Sequence, residues 1–301
     1  MAAIEKKKSI HETTEDNIFN IVNLILLSIA FIVVLYPLIY ILSSSFSSPQ
    51  AVSSGRVVLW PVELSVRGYE EVFSHAAVLT GFKNTFFYTI VGTCINMVMT
   101  ILAAYPLSRK TLPGRRVLNF LFMFTMIFNG GLIPAYILNT NLGLVNTRWV
   151  MVIPTALSVY NVTIARSFFQ SSIPEEMIEA AQVDGASHFR IMVQLVLPLS
   201  KSVLAVLVLY YAVGHWNQYF QAFIYLSNRD LFPLQIVLRD ILILNSMNNQ
   251  ITDPQLMAAK QGMADLIKYS LIVISTGPFM ILYPFIAKHF VQGVMIGSVK
   301  G

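Results

Sequence analysis

The sequence predicts an all-α, polytopic membrane protein with six transmembrane helices and a two-helix loop on its inner side. Three observations predict this fold class. Hydrophobic residues fill 55% of the 301 positions, charged residues only 12%, and the mean hydropathy is +0.65. Soluble domains carry about 25% charged residues, so roughly half the usual charge is missing. The charges that remain sit between long apolar stretches. This pattern excludes a disordered chain, a coiled coil and an ordinary cytosolic enzyme. The single cysteine, Cys94, lies inside an apolar stretch, which leaves no disulfide framework and no cysteine metal site.

A helix needs about 20 mostly apolar residues to cross the hydrocarbon. The first such stretch runs from about Ile18 to Leu42, in a region without charge between Asp16 and Arg56. The second runs from Asn84 to about Leu107, the third from Val117 to Leu138, and the fourth from Trp149 to about Phe169. The fifth covers roughly Ser202 to Leu226 and the sixth Tyr269 to Ala287. No A-x-A cleavage site follows the first stretch, which is too long for a signal-peptide core and reads as retained.

Orientation follows from Lys and Arg, which concentrate on the inner side of a membrane. With the N-terminus inside, the inner side holds Lys6–Lys8, Arg109, Lys110, Arg115, Arg116, Arg166, Arg190, Lys201, Lys288 and Lys300. The outer side holds Arg56, Arg67, Lys83, Arg148, Arg229, Arg239, Lys260 and Lys268, spread over long loops. The net charge of +5 and pI near 9.2 therefore follow topology rather than forming one nucleic-acid patch. Both termini are expected in the cytoplasm of a multi-pass protein of the bacterial cell (inner) membrane, surrounded by lipid.

The reading divides the chain into a cytoplasmic N-terminal tail (1–17), a six-helix transmembrane domain (18–292) and a cytoplasmic C-terminal tail (293–301). Within the domain lie an inner loop (171–198) and an external loop (227–267). The earlier outer segment, Ser43–Lys83, contains Pro49, Pro61 and a possible amphipathic helix around Tyr69–Phe73. The later one has apolar residues at helical spacing from Leu234 to Leu242, then an Asn-rich break at Asn245–Asn249. Such a loop either meets something outside or packs as a lid on the bundle. No internal repeat or low-complexity segment is present.

The inner loop Ser171–Pro198 carries the most information. Pro174 followed by Glu175 and Glu176 is a helix start, since proline suits the first turn and carboxylates favour the positive end of the dipole. The helix runs through Glu179, Ala180 and Ala181 to Asp184-Gly185, where glycine permits the left-handed conformation that reverses the chain. A second short helix is expected from about Ser187 toward Leu195, stopping before Pro198. Small alanines allow close approach, and Glu179 offers a partner a negative charge.

These residues resemble a known family. Glu179-Ala180-Ala181, then Gly185, then Leu195-Val196-Leu197-Pro198 are similar to the EAA loop of permease subunits in binding-protein-dependent ABC importers, with Leu195 where isoleucine is usual. The C-terminal run from Tyr283-Pro284-Phe285 through Phe290 to Gly301 is similar to the tails of carbohydrate permeases related to the second maltose-type subunit. Asn129-Gly130-Gly131-Leu132-Ile133-Pro134, with Leu142-Gly143-Leu144 and Asn146-Thr147, resembles the subgroup serving polysaccharide-derived oligosaccharides. The resemblance implies a heterodimer with a second homologous permease, two cytoplasmic ABC ATPase subunits and an external solute-binding protein that delivers an oligosaccharide. It implies that the EAA loop docks into a cleft of the ATPase, with Glu179 meeting a basic residue there and Asp184 and Gly185 forming the docking turn. ATP and Mg would bind the ATPase, and this chain would need no cofactor of its own. The resemblance also implies that the tail reaches the ATPase and that the external loop probes the binding protein's sugar cleft.

The chain has no G-x-x-x-x-G-K-[ST] loop for phosphates, no H-E-x-x-H and no paired cysteines. It therefore reads as a non-enzyme whose energy comes from elsewhere. For the substrate pathway, the fifth span offers His215, Trp216, Asn217, Gln218, Tyr219 and Gln221. Trp216 and Tyr219, three apart, share a helix face. They either line the pathway or belong to an interfacial aromatic belt. His215 reads as a packed, hydrogen-bonded histidine. Asn129, Gly130, Gly131 and Pro134 break or kink the third span, as a gate or for close packing. Asn96 and Asn161 are expected to face inward. Alternative functions are a permease for another small solute (amino acid, peptide) or an ion-coupled secondary transporter. The latter usually shows membrane carboxylates, and every span here lacks Asp and Glu.

Overall fold

The computed structural model describes residues 13–247 and 261–281, and all regular structure among them is helical. In order come α1 (Thr14–Ser45), α2 (Pro49–Ser53), α3 (Arg67–Ser74), α4 (Ala76–Ser108), α5 (Arg115–Ile127), α6 (Leu132–Asn141) and α7 (Val159–Ser172). Then follow α8 (Glu175–Val183), α9 (His188–Ile191), α10 (Leu197–Leu199), α11 (Lys201–Trp216), α12 (Phe220–Tyr225), α13 (Leu234–Met247) and α14 (Gln261–Ile281). The amphipathic helix expected around Tyr69–Phe73 is α3. Tail residues 1–12, residues 248–260 of the external loop, the end of the sixth span and the motif from Tyr283 onward lie outside the described residues.

Three helices, α1, α4 and α14, are long and apolar enough to cross a membrane, or five spans if each bent pair counts as one. The bent pairs are α5 with α6, at 111°, and His188–Leu199 with α11, at 86°. Against the six spans expected, the described residues thus give three to five candidates, and the anatomy of several differs from expectation. α4 begins at Ala76, well before Asn84, and α14 already includes residues 261–267, so the last part of the expected external loop 227–267 is helix. The expected fourth span is not one helix. It consists of a single 3₁₀ turn at Arg148–Met151, irregular backbone to Ser158, and then α7. The fifth breaks after Trp216 and resumes as α12.

Contacts divide the chain into two compact units, each described separately. The first comprises residues 13–71 and 261–273 of those described. Here α1 starts on a capping box, with Thr13 Oγ1 accepting from the Asp16 amide and Asp16 accepting from Thr13. Its apolar side chains from Ile18 to Val34 are exposed on every face, as suits a helix bathed in an apolar medium. At its other end Ser43, Ser44, Ser45 and Ser47 are buried. Ser43 Oγ donates to the Leu59 carbonyl at 2.6 Å and Ser47 Oγ accepts from the Val62 amide at 3.0 Å, which pins the following loop. Gly262 packs against α2, where a Cβ would stand 2.4 Å from the Pro49 carbonyl oxygen.

The second unit comprises residues 72–247 and 274–281 of those described. α4 is its central post, packed against α7, α11 and α13. One apolar core joins Ala104, Tyr105 and Leu107 of α4 to Phe169 of α7, Ile178 of α8, Ile191 of α9 and Leu207 of α11. Another joins Tyr88 to Val150, Met151, Val152, Ala222 and Ile236. α5, by contrast, has no buried residue, and Phe120, Phe124 and Phe128 stack along its length.

Candidate functional site

The irregular stretch between Met151 and Ser158 leaves backbone carbonyls without helical partners, and in an apolar medium each must be satisfied by protein. Side chains from α4 and from the α11–α12 region do this. Asn96 donates to the Thr155 carbonyl at 2.5 Å, Gln218 to the Met151 carbonyl at 3.0 Å and Gln221 to the Val150 carbonyl at 2.9 Å. Gln218 also bonds Gln221 at 2.8 Å. His215 closes the network, with Nε2 2.6 Å from Asn96 Oδ1 and Nδ1 3.4 Å from Gln218 Oε1. The imidazole lies flat on Gly92, where a Cβ would come within 2.4 Å of Nε2. The cluster of polar residues at 215–221 is thus a scaffold for the irregular stretch before α7, and His215 is the packed histidine expected.

Beside this network lies a cavity of about 380 Å³ walled by Leu209, Val213, Trp216, Asn217, Gln235 and Phe279. Trp216 is buried, its indole donating to the Ser275 carbonyl at 3.0 Å while Phe86 and Phe279 meet it edge-on, each with centroids 5.2 Å away. Asn217 is exposed to the cavity; it donates to the Val213 carbonyl at 3.0 Å and accepts from Gln235 at 3.4 Å. Tyr219 does not share a helix face with Trp216, because α11 ends between them and Tyr219 precedes α12. It stacks on Phe223, and the Arg239 guanidinium covers both rings, 5.9 Å from Tyr219 and 4.7 Å from Phe223.

Asn129 and Gly130 stand on the exposed bend between α5 and α6, away from that cavity wall. Asn129 Oδ1 accepts from the Gly131 amide at 2.9 Å, and Gly131, at φ +90°, opens α6. The break expected at Asn129–Pro134 is therefore present and sharper than a kink. Asn161 is buried in the first turn of α7.

On the opposite end of α4, the inner-loop sequence folds as a knuckle. Glu175 and Glu176 occupy the first turn of α8, and Asp184 ends it. Gly185 takes φ +79°, with its amide bonded to the Gln182 carbonyl and the Ala186 amide to the Ala181 carbonyl, both at 2.9 Å. Ser187 caps α9, its Oγ accepting from the Arg190 amide at 3.3 Å. The helix does not stop before Pro198. A π-helical turn over Met192–Val196 carries it through, with the Leu197 amide bonded to the Met192 carbonyl. The wider turn relieves the contact between a proline ring and the carbonyl four residues back. Leu195 and Pro198 thus belong to this turn and to α10.

The knuckle has a packed underside and a bare outer face. Ile178, Ile191, Met192 and Val196 are buried against Tyr105 and Leu107. Glu179 and Ala180 are exposed, Ala181 half-buried, and beside them Val183 is 89% and Phe189 68% exposed. Sequence reasoning missed these two apolar residues. Their signal was present: apolar side chains flanking Asp184-Gly185 on the side that an amphipathic loop should keep polar.

Where α4 meets this knuckle, Arg109 is buried. Its Nε donates to Ser108 Oγ at 2.9 Å and its Nη2 to the Phe169 carbonyl at 3.1 Å. Desolvation pulls its pKa below the usual arginine value, with Tyr105 and Glu175 opposing. Gln170 returns a bond to the Ser108 carbonyl at 3.2 Å, and Lys110 pairs with Glu175 at 3.0 Å.

Comparison with known proteins places this architecture. The chain is 36% identical over 295 residues to the protein LplC of Bacillus subtilis, covering 97% of this chain and 98% of that one. It is 38% identical over 277 residues to the polygalacturonan/rhamnogalacturonan transport system permease protein YtcP of the same organism, covering 92% and 96%. A crystal structure of a bacterial ABC transporter involved in the import of the acidic polysaccharide alginate contains a chain that superimposes with a TM-score of 0.84 at 35% identity. That match covers 94% of this chain and all of the other. The model for binding-protein-dependent transport system inner membrane components matches residues 74–296, and the chain belongs to that family.

Proposed function

We propose that the chain is one permease subunit of an ATP-driven ABC importer that translocates oligosaccharides delivered by an external solute-binding protein. The observation that carries this reading is the knuckle. A turn held by Gly185 presents Glu179, Ala180, Val183 and Phe189 outward while its underside is locked into the bundle. Such a face suits a partner's cleft, with a charge for a basic residue and apolar side chains for its walls. In this reading 171–198 is the EAA coupling loop and two cytoplasmic ATPase subunits, carrying ATP and Mg, dock on it and on its counterpart in a second, homologous permease. Closure of the ATPases moves the loops and rocks the bundle between inward- and outward-facing states.

Six crossings complete the reading: α1, α4, the bent α5–α6 pair, the irregular stretch with α7, α11 with α12, and α14. Both termini lie inside, the external segment falls within 227–260, and the tail 293–301 reaches toward the ATPase. The cavity at Trp216 and Asn217 is the best-placed sugar contact, an aromatic wall beside two amides that can bond hydroxyls. Tyr219 flanks it, Asn161 in the first turn of α7 is a further pathway residue, and Asn129 and Gly130 act as the hinge of a gate. The substrate class rests on the relatives, which include transporters of polygalacturonan/rhamnogalacturonan and of alginate.

The test is reconstitution with the second permease, the ATPase and the binding protein in proteoliposomes. Val183→Cys is expected to crosslink to the ATPase, and uptake to be stimulated by labelled oligosaccharides but not by amino acids or peptides. Absence of the crosslink, or preference for peptides, would overturn the reading.

A further inference from the structure

Arg109 and Lys110 directly follow α4, in a stretch whose basic residues the sequence places in an exposed loop. Lys110 is indeed exposed, but Arg109 retains only 7% of its surface. The Phe169 carbonyl that Arg109 meets belongs to the last turn of α7, where helical carbonyls lack partners and the dipole is negative. The arginine that ends α4 as its C-cap therefore caps α7. The next residue, Lys110, reaches Glu175 in the first turn of α8. Between α7 and α8 the chain is extended at Ile173 and Pro174 (ψ 107° and 141°), a link with no helical hydrogen bonding of its own. Two adjacent residues thus hold both sides of that link, while Ile173 and Ile178 share one buried apolar core with Tyr105 and Leu107 of α4.

We infer that Arg109 and Lys110 form a latch that makes α4, the end of α7 and α8 one rigid body. A displacement received at α8 then reaches α4, and through Asn96 the network around His215, instead of being absorbed as a hinge at residues 173–174. Arg109 is a positioning residue here; it touches neither ATPase nor substrate. The inference rests on the reading of α8 as the ATPase contact.

The test uses the reconstituted importer and reads substrate molecules taken up per ATP hydrolysed. Arg109→Gln is expected to keep ATP hydrolysis within about twofold while the ratio falls about tenfold. Arg109→Lys, which keeps the charge but loses the fork, should fall in between. Lys110→Glu and Glu175→Lys should each lower the ratio about twofold, and the double reversal K110E/E175K should restore it. If R109Q does not assemble, the reversal series decides alone. Unchanged ratios in R109Q, or a double reversal no better than the singles, would overturn the latch. The Val183→Cys crosslink is followed in the same samples. A missing crosslink in the otherwise native complex removes the coupling reading and the latch with it. A crosslink present with unaltered ratios removes the latch alone.

Discussion

Gly92→Ala tests the network that supports the irregular stretch before α7. The added methyl would lie 2.4, 2.5 and 2.7 Å from Nε2, Cε1 and Cδ2 of His215. The ring cannot swing aside freely, since Nε2 is held by Asn96 Oδ1 and the imidazole is buried. Overpacking of this kind costs about 1–3 kcal/mol. Displacing the ring also breaks the 2.6 Å bond to Asn96, worth about 0.6–1.7 kcal/mol between membrane helices. The expected loss is about 2–4 kcal/mol, read as the shift in SDS-induced unfolding of the purified permease. His215→Ala removes the ring that clashes, so in the double variant Gly92→Ala should add almost nothing to the cost of His215→Ala. A loss below about 0.5 kcal/mol in Gly92→Ala, or strict additivity of the two substitutions, would refute the packing argument.

Other outcomes follow from the same geometry. Gly185→Ala meets open space, so its cost is the left-handed backbone alone, about 1–2 kcal/mol, and Gly185→Asn should recover most uptake because asparagine visits that region. Val183→Asp and Phe189→Asp should leave the permease's own stability within about 0.5 kcal/mol but lower ATPase recovery on co-purification at least tenfold. Asn217→Ala should raise the half-saturating oligosaccharide concentration about two- to tenfold, the worth of one neutral hydrogen bond, while unfolding shifts by no more than about 1 kcal/mol for its exposed bonds to Val213 and Gln235.

The knuckle was legible because its signals are local. Pro174, two carboxylates, Gly185 and Ser187 each fix a backbone state by their own chemistry, and the structure has α8, the left-handed turn and α9 in those places. The bend at Asn129–Gly131 was legible for the same reason. The fourth span was not. Residues 149–158 are as apolar as a helix, and what permits irregular backbone there is amide side chains on Asn96, Gln218 and Gln221, distant in sequence. The π turn before Pro198 was equally hidden, since proline alone suggests a stop. The break after Trp216 placed Tyr219 at the cap of another helix, a change that three-residue spacing does not reveal. Arg109 looked like one more loop cation because its acceptor, the Phe169 carbonyl, is set by tertiary packing.

If the stretch 149–172 crosses the membrane as proposed, its borrowed hydrogen bonds also constrain biogenesis. A segment emerging from the ribosome with unsatisfied carbonyls at Val150, Met151 and Thr155 has no stable place among acyl chains by itself. Asn96 is synthesised before it, but Gln218 and Gln221 come more than sixty residues later. In the proposed six-crossing arrangement this segment gains its full set of partners only once residues 218–221 have been made. Release into lipid is then a concerted event for the middle of the chain rather than a sequence of independent helices.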